Sequence, residues 1–203
     1  MKPITVILLL LFSCTSIYAQ EHETSNVLRT GASCVIFARN NYKDKFAVHI
    51  GTQIAAEYSR KFSSVYSLDV TLFKQNYSGS SQEKNVCDTY EPSFFKSNST
   101  GISIRNIFSP FKKASWLRLG IGGSAEYNTQ FTSPNEGAYI RSRGMFYNVS
   151  LPVRFYILDT MKFDLYAYYE FTFAVDYSNN GKGGNSNFYM PYNWCGLMFG
   201  VKF

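Results

Sequence analysis

Apolar and polar residues alternate along most of this chain, and no other feature restricts its fold as strongly. The clearest stretches are residues 46–59, 62–75, 115–131, 146–157, 161–177 and 194–203. Successive side chains of a β-strand point to opposite faces, whereas a helix would scatter the same residues around its axis. The pattern therefore predicts six strands, each with one apolar and one polar face.

Two weaker segments bring the number of predicted strands to eight. Residues 100–108 alternate at Ile102 and Ile104 but place Asn106 on the apolar side, and residues 30–38 form a short run of undetermined phase. Bacterial single-chain barrels contain an even number of strands, so the total agrees with a barrel. The sequence predicts an all-β fold.

The connections between these segments are alternately short and long. Short connections lie at residues 60–61, 110–114 and 158–160, and long ones, rich in Asn, Ser and Gly, at residues 39–45, 78–92, 132–144 and 178–187. Outer-membrane barrels have short periplasmic turns and longer extracellular loops. The alternation predicts an up-and-down barrel with both chain ends in the periplasm.

The beginning of the chain has the features of an export signal. A basic residue precedes a short apolar core at residues 4–12, and Ala19 is a small residue suited to cleavage. A membrane-spanning helix needs about 20 apolar residues, so this core is too short to be one. We predict a signal peptide at residues 1–19 and one barrel domain at residues 20–203, with lipidation of Cys14 as the alternative to cleavage.

Composition argues against a helical membrane protein and against a nucleic-acid partner. Phe, Trp and Tyr form 18% of the chain, yet the segment after the predicted signal contains no run approaching about 18 apolar residues. A barrel needs no such run, because only alternate residues of its strands face lipid. The net charge is +6, but the basic residues form no run. We assign the excess positive charge to contacts with anionic headgroups of outer-membrane lipids and lipopolysaccharide.

Alternation by itself also fits a secreted barrel of the lipocalin type, which likewise has one apolar and one polar face. Three features favour a membrane barrel. The polar faces carry small residues such as Gly120 and Gly196, which suit a crowded interior. The apolar faces are rich in Tyr and Phe near the strand ends, as in an interfacial girdle. Finally, Phe203 stands at the end of an alternating segment.

The last segment carries a more specific resemblance. Residues 196–203, GLMFGVKF, resemble the C-terminal signal that barrel-assembly machinery recognises. The matching positions are Gly196, Phe199, Val201 and Phe203. The chain after the predicted signal is similar to small OmpA/OmpX-like barrels and to the PorT-like outer-membrane β-barrel family, whose strands residues 146–156 resemble. The resemblance implies a single closed antiparallel transmembrane β-barrel in the bacterial outer membrane, with no catalytic residues and no cofactor.

Charged residues occupy the polar faces that would form the barrel interior. They are five acids and five bases: Glu57, Asp69, Glu126, Asp164 and Glu170, with Arg105, Arg118, Arg154, Lys162 and Lys202. Unpaired charges in a dry interior are costly, and eight strands leave an interior just wide enough for side chains. We predict a mutually neutralising network that plugs the lumen. A narrow ion pathway is the alternative.

Histidine and cysteine offer few chemical sites. His49 falls on an inward face near the outer end of its strand, where lipid-modifying barrels use a histidine, but Gly51 stands where the deacylase type has a serine. We therefore interpret His49 as a lumen residue bonded to a neighbour. Cys34 and Cys195 fall on the first and last strands, either as lipid-facing thiols or as a disulfide. The spacing of Cys and His predicts no metal site.

The sequence therefore predicts a non-enzymatic outer-membrane barrel with a structural role or an interaction role for its extracellular loops. Arg141, Arg143 and Lys182 lie in or beside the predicted loops, either pairing with lipopolysaccharide phosphates or as ordinary solvated charges. Cys87 lies in a long connection and is expected outside the cell. A narrow pore and a lipid-modifying enzyme are the alternatives, and the sequence identifies no extracellular ligand.

Overall fold

The computed structural model of the chain describes residues 25–37, 45–46, 50–84, 90–111, 116–133, 140–179 and 192–203. Within them, eight long strands form one antiparallel barrel. They are β1 (Ser25–Phe37), β2 (Ile50–Lys61), β3 (Tyr66–Lys84), β4 (Tyr90–Phe108), β5 (Leu117–Ser133), β6 (Ile140–Asp159), β7 (Phe163–Asn179) and β8 (Tyr192–Lys202). A two-residue piece, Lys45–Phe46, pairs with the far end of β3.

Each strand pairs with its neighbours in sequence, and β1 pairs with β8 to close the barrel. Asn26 and Phe203 exchange two backbone hydrogen bonds of 3.1 and 3.0 Å at the end of this last pairing. Closure gives each strand of the barrel wall a hydrogen-bonded neighbour on both sides, so the wall itself has no open sheet edge. The predicted eight-stranded, up-and-down barrel is confirmed.

The barrel is apolar outside and polar inside, the reverse of a water-soluble protein. Arg29, Glu57 and Arg154 are at most 2% exposed, whereas Ile54 is 64% exposed and Leu72 is 60% exposed. Each strand reaches this arrangement through its period-two pattern, because alternate side chains point to opposite faces. The outward apolar side chains form a continuous band of the kind that faces lipid in a transmembrane barrel. No helix among the described residues is long and apolar enough to cross a membrane.

Aromatic side chains collect around the rim that carries the short turns. Trp116 stacks on Phe155 with ring centroids 6.2 Å apart. Phe163 stacks on Phe199 with centroids 5.9 Å apart, and Phe203 is exposed nearby at the end of β8. Aromatic rings are enriched where a membrane barrel meets the headgroup region. This rim therefore has the composition of a membrane interface.

Asn106 breaks the alternation of β4 without facing lipid. It is only 1% exposed, and its Oδ1 accepts a hydrogen bond of 2.7 Å from the Tyr66 hydroxyl. Tyr66 stacks between Phe62 and Phe108, with centroid distances of 5.5 and 5.2 Å. The amide is thus satisfied by a hydroxyl from an aromatic cluster at the β2–β3 turn, which removes the cost of an unpaired polar group.

Several strand boundaries differ from the sequence prediction, and two of these differences alter the interior and the outer rim. The first strand begins at Ser25 rather than near residue 30, because Arg29 already belongs to the inward face. The predicted loop at residues 78–92 is mostly strand, since β3 and β4 pair continuously from Tyr66–Phe108 to Lys84–Tyr90. Ladder hydrogen bonds within this hairpin override the weak strand propensity of its Ser, Gly, Asn and Gln residues.

Substitutions on one face of β5 test the lipid-facing assignment. Ile121→Arg places a guanidinium on the apolar band near mid-depth, where Ile121 is 45% exposed, and should lower the free energy of unfolding by about 2–4 kcal/mol. Thr129→Arg, on the same face of the strand near the outer rim, should cost at most about 1 kcal/mol. Denaturant unfolding in lipid vesicles measures both, and equal losses would contradict the assignment.

Candidate functional site in the barrel lumen

Glu57 on β2 organises the centre of the lumen. Its Oε1 accepts hydrogen bonds from Arg29 Nη1 at 2.8 Å and from the Tyr166 hydroxyl at 2.9 Å. Its Oε2 accepts hydrogen bonds from Arg154 Nη2 at 2.9 Å and from Thr71 Oγ1 at 3.1 Å. A buried carboxylate is tolerated when its charge is paired and its lone pairs are bonded. Glu57 meets both conditions and joins side chains from five strands.

Two of the lumen arginines each make a bidentate contact, here called a fork, with an acid on β7. Arg29 donates from Nε and Nη2 to Asp164 at 2.9 and 2.8 Å. Arg105 donates from Nε and Nη2 to Glu170 at 2.9 and 2.8 Å, and from Nη1 to Thr71 at 2.7 Å. Paired hydrogen bonds from one planar guanidinium fix direction as well as distance. These forks therefore hold β1 and β4 each to β7 across the interior.

Arg154 completes the central cluster through Asp69 and Tyr166. Its Nη1 donates a hydrogen bond to Asp69 Oδ2, and its guanidinium carbon lies 4.6 Å from the centroid of the Tyr166 ring. The guanidinium of Arg29 lies 5.4 Å from the same centroid. Cations over an aromatic face are attracted to its negative quadrupole. Tyr166 thus contacts two arginines and, through its hydroxyl, the acid that they share.

A second ion-pair cluster lies in the lumen at the short-turn rim. Asp159 pairs with Arg118 at 3.1 Å, with Lys61 at 3.6 Å and with Lys202. Arg118 also stacks over the Tyr156 ring, 4.2 Å from its centroid. Three bases facing one acid make this rim electropositive, and the partial exposure of Asp159 lets water screen the excess.

Glu126 on β5 lies in the outer half of the lumen. It is 2% exposed, and its Oε2 accepts hydrogen bonds from Gln75 Nε2 at 2.5 Å and Ser99 Oγ at 3.3 Å. Its Oε1 and the Oδ1 of Asn148 have no hydrogen-bond partner among the described residues. Neutral donors therefore hold this acid, in contrast to the arginine-paired acids nearer the centre.

The lumen charges balance, and little space remains between them. The described set comprises six acids, Glu57, Asp69, Glu126, Asp159, Asp164 and Glu170, and six bases, Arg29, Lys61, Arg105, Arg118, Arg154 and Lys202. Two cavities offer about 10 and 20 Å³ to the centre of a water-sized sphere. A bound water needs about 10–15 Å³ measured this way, so these cavities each hold about one water molecule.

The structure places all but one of the predicted network residues in the lumen. The exception is Lys162, which is exposed in the β6–β7 turn because β7 begins at Phe163. The lumen positions are Glu57, Asp69, Arg105, Arg118, Glu126, Arg154, Asp164, Glu170 and Lys202. They do not form one cluster, since Glu126 stands apart from the central pairs and Arg118 and Lys202 meet at Asp159.

Sequence reasoning missed Arg29, Lys61 and Asp159. Arg29 belongs to the segment of undetermined phase, although the inward run Arg29, Gly31 and Ser33 opposite Leu28 is a weak period-two signal. Lys61 and Asp159 stand at strand ends that were predicted as turns. All three positions lie where the alternation begins or stops, so their faces depend on the register with neighbouring strands rather than on local pattern.

The proposed assembly signal is split between the two faces of β8. Phe199, Val201 and Phe203 are exposed, and Gly196 faces the lumen against β1, where a Cβ would lie 2.4 Å from the Ser33 side chain. Recognition of this strand by assembly machinery stays a prediction. His49, Cys87 and Lys182 lie outside the described residues, as does the side chain of Arg141.

Comparisons with known proteins give fold similarity only. No protein-family model and no curated protein sequence matches the chain. Two solved structures of Ail, the attachment invasion locus protein of Yersinia pestis, align with TM-scores of 0.51 and 0.50 at 14% and 10% identity, covering 90% of this chain and 100% of Ail. Neisserial surface protein A aligns with a TM-score of 0.48 at 15% identity, with the same coverage.

The Ail similarity and the geometry together define a class of protein. The chain is a small eight-stranded transmembrane β-barrel with a charged lumen. Its fold is that of the OmpA/OmpX-like outer-membrane barrels, which confirms that part of the resemblance found in the sequence, and the similarity to the PorT-like family stays a prediction.

Removing the charge of Glu57 tests the central cluster. Glu57→Gln keeps the shape of the side chain but leaves Arg29 and Arg154 without their shared acid, and should lower the free energy of unfolding by about 3–5 kcal/mol. Asp159→Asn, the matched change at the partly exposed rim, should cost at most about 1 kcal/mol. Denaturant unfolding measures the stability of both variants. Equal small losses of unfolding free energy would show that Glu57 is not central to the network.

Proposed function

We propose that this chain is an integral outer-membrane protein with a closed lumen, acting in a structural role or through interactions of its extracellular face. The observation that carries the proposal is the set of ion pairs that cross the lumen. Buried acids and bases pair across the lumen at hydrogen-bond distance, and the two cavities each have room for about one water molecule. A wall of eight strands leaves no further width for a channel.

The exterior supports placement in the outer membrane. Outward side chains such as Leu28, Ile102 and Leu197 form the apolar band, and a closed barrel is the only sheet that satisfies its backbone inside a bilayer. The short turns and the Asn26–Phe203 pairing share one rim, which we assign to the periplasm because outer-membrane barrels keep their short turns there. Barrel-assembly machinery would insert the chain through its last strand.

The pairs in the lumen argue against a pore. Widening the interior would break the Arg29–Asp164 and Arg105–Glu170 forks together, since both cross to β7. Each broken pair would leave uncompensated buried charge, which costs several kcal/mol. A continuous water path is therefore unfavourable at the centre. A lipid-modifying enzyme stays an alternative, because that activity would depend on His49, which lies outside the described residues.

The opposite rim offers the surface for interaction. Beyond Leu72 and Ile102, the outward residues of β3 and β4 become polar, with Lys74 and Lys96 exposed. The hairpin continues to the Lys84–Tyr90 pair, so at about 3.3 Å per residue its strands run on for roughly 40 Å beyond Leu72 and Ile102. Backbone pairing makes it a stiffer projection than an irregular loop, and we assign the interaction role to it and to the neighbouring loops.

Lipopolysaccharide phosphate is the anion that this rim would meet first. Lys74, Lys96 and Arg143 are exposed on β3, β4 and β6, above the apolar band. Cations at this level pair with phosphates at the membrane surface. Ail, a barrel of similar fold, has been crystallised with the heparin analogue sucrose octasulfate, a polyanion. We propose that these three cations bind lipopolysaccharide in the outer leaflet.

Planar-bilayer recording tests the closed lumen. The unmodified protein should give no stable conductance, because paired side chains fill its interior. The double variant Arg105→Ala/Glu170→Ala removes one fork without changing the net charge, and is the control in which added space should produce measurable current. Steady ion-selective currents from the unmodified protein would contradict the closed lumen and support a pore.

Cysteine labelling tests the orientation. In a background without native cysteines, Ser78→Cys on the β3–β4 hairpin should react with a membrane-impermeant maleimide in intact cells. Ser64→Cys in the β2–β3 turn should react only after the outer membrane is permeabilised. The reverse pattern would invert the barrel, and recovery of the protein in the soluble fraction would contradict the membrane assignment.

A further inference from the structure

Cys34 and Cys195 stand directly opposite each other across the seam between β1 and β8. The register of the two strands pairs these residues, and both are unbridged in the structure and exposed on the outer face. The Cys34 thiol lies 3.6 Å from the carbonyl oxygen of Cys195. Two thiols on adjacent strands thus face the same side of the barrel at the same height.

The strand register determines the separation of their Cα atoms. Asn26 and Phe203 exchange both backbone hydrogen bonds, and the pairing runs without a shift from there to Cys34 and Cys195. Hydrogen-bonded and non-hydrogen-bonded pairs alternate, so the two cysteines form another hydrogen-bonded pair with Cα atoms about 5.5 Å apart. Disulfides span Cα separations of about 4.4–6.8 Å, most often near this value.

The surroundings of Cys34 leave room for its thiol to turn toward Cys195. Along β1, the next outward residue is Ala32, and across on β2 the register partner of Cys34 is Thr52. Both side chains are small, so they do not confine Cys34 to its present rotamer. Bridging requires rotation about the Cα–Cβ bonds and a local approach of the two strands, because the Cβ atoms of a hydrogen-bonded pair lie near the upper end of about 4.5–5.5 Å, whereas those of a disulfide lie about 3.5–4.5 Å apart.

We propose that Cys34 and Cys195 are a site of oxidative modification that forms a disulfide between the first and last strands. Two S–H bonds break and one S–S bond forms. The two electrons and two protons pass to the disulfide of a periplasmic thiol–disulfide oxidoreductase, which becomes a dithiol. The exchange takes place on the periplasmic side as the barrel closes, when β1 and β8 have paired and lipid does not yet surround the seam. The inference therefore rests on the proposed outer-membrane location.

The bond would act on the one strand pair that no turn connects. Every other pair of adjacent strands is continuous through a hairpin connection, whereas β1 and β8 lie at opposite ends of the chain and are held by non-covalent contacts. A disulfide joining residues 161 positions apart restricts a long loop in the unfolded chain, and such constraint grows with loop length. The modification would make closure of the barrel covalent.

Thiol counting tests the proposal on the barrel isolated from outer membranes. The Cys87→Ser protein is treated with an alkylating agent during cell lysis and then unfolded in detergent. Fewer than one thiol in ten should be alkylated before reduction and both after it, and the unreduced chain should be monomeric. Its heat-unfolding midpoint should fall when a reductant is added. Full alkylation before reduction, or disulfide-linked dimers, would overturn the proposal.

A shifted thiol provides the control for register. The double variant Cys195→Ala/Leu197→Cys moves the second thiol to a diagonal position, about 7–8 Å away in Cα separation, and should stay reduced at least ten times more often. Equal oxidation of the native pair and of the shifted pair would show that the strand register does not determine disulfide formation. Free thiols in a barrel that does reach the outer membrane overturn the disulfide alone, whereas a barrel that does not reach it contradicts the proposed function and the disulfide with it.

Discussion

The carboxylate of Glu57 is the interaction on which the rest of the lumen depends. It accepts hydrogen bonds from Arg29, Thr71, Arg154 and Tyr166, and these side chains come from four other strands. Around it, the arginines bind further acids, so that each charge of the central cluster has a counter-charge within reach. A barrel of eight strands brings opposite walls close enough for such contacts. The closed eight-stranded wall therefore determines which charged side chains can pair across the lumen.

The same geometry explains why the interior is polar. In lipid, burying an apolar side chain inside the barrel gains little, because the exterior is already surrounded by hydrocarbon, so interior and exterior differ through hydrogen bonds and ion pairs. Pairs such as Arg105–Glu170 contribute modest net stability but strongly penalise arrangements in which one partner is lost. In the proposed role, the outer rim, with Lys74 and Lys96 on its projecting hairpin, is the part that meets other molecules.

The sequence predicts well which face of a strand a residue lies on, and poorly which residues it contacts across the lumen. Period two assigns Asp69 and Arg154 to the interior from local pattern alone, but their mutual contact depends on strand register, which turns and distant pairing determine. Arg29 was missed because the Gly, Ala, Ser and Thr residues of β1 barely distinguish an apolar from a polar face. The β3–β4 extension was predicted as loop, since its composition resembles one, and only the paired ladder makes it strand.

Closure between β1 and β8 depends on side-chain size, because no turn holds these strands together. A Cβ at Gly200 would lie 2.3 Å from Asp164 Oδ1 and 2.6 Å from Arg29 Cγ, and one at Gly31 would lie 2.2 Å from the Leu197 carbonyl oxygen. Glycine at these inward positions leaves the space through which Arg29 reaches Asp164 at 2.8 Å. The seam thus combines small residues inside, where the arginine must pass, with a thiol pair outside, where a covalent bond would hold the closed register.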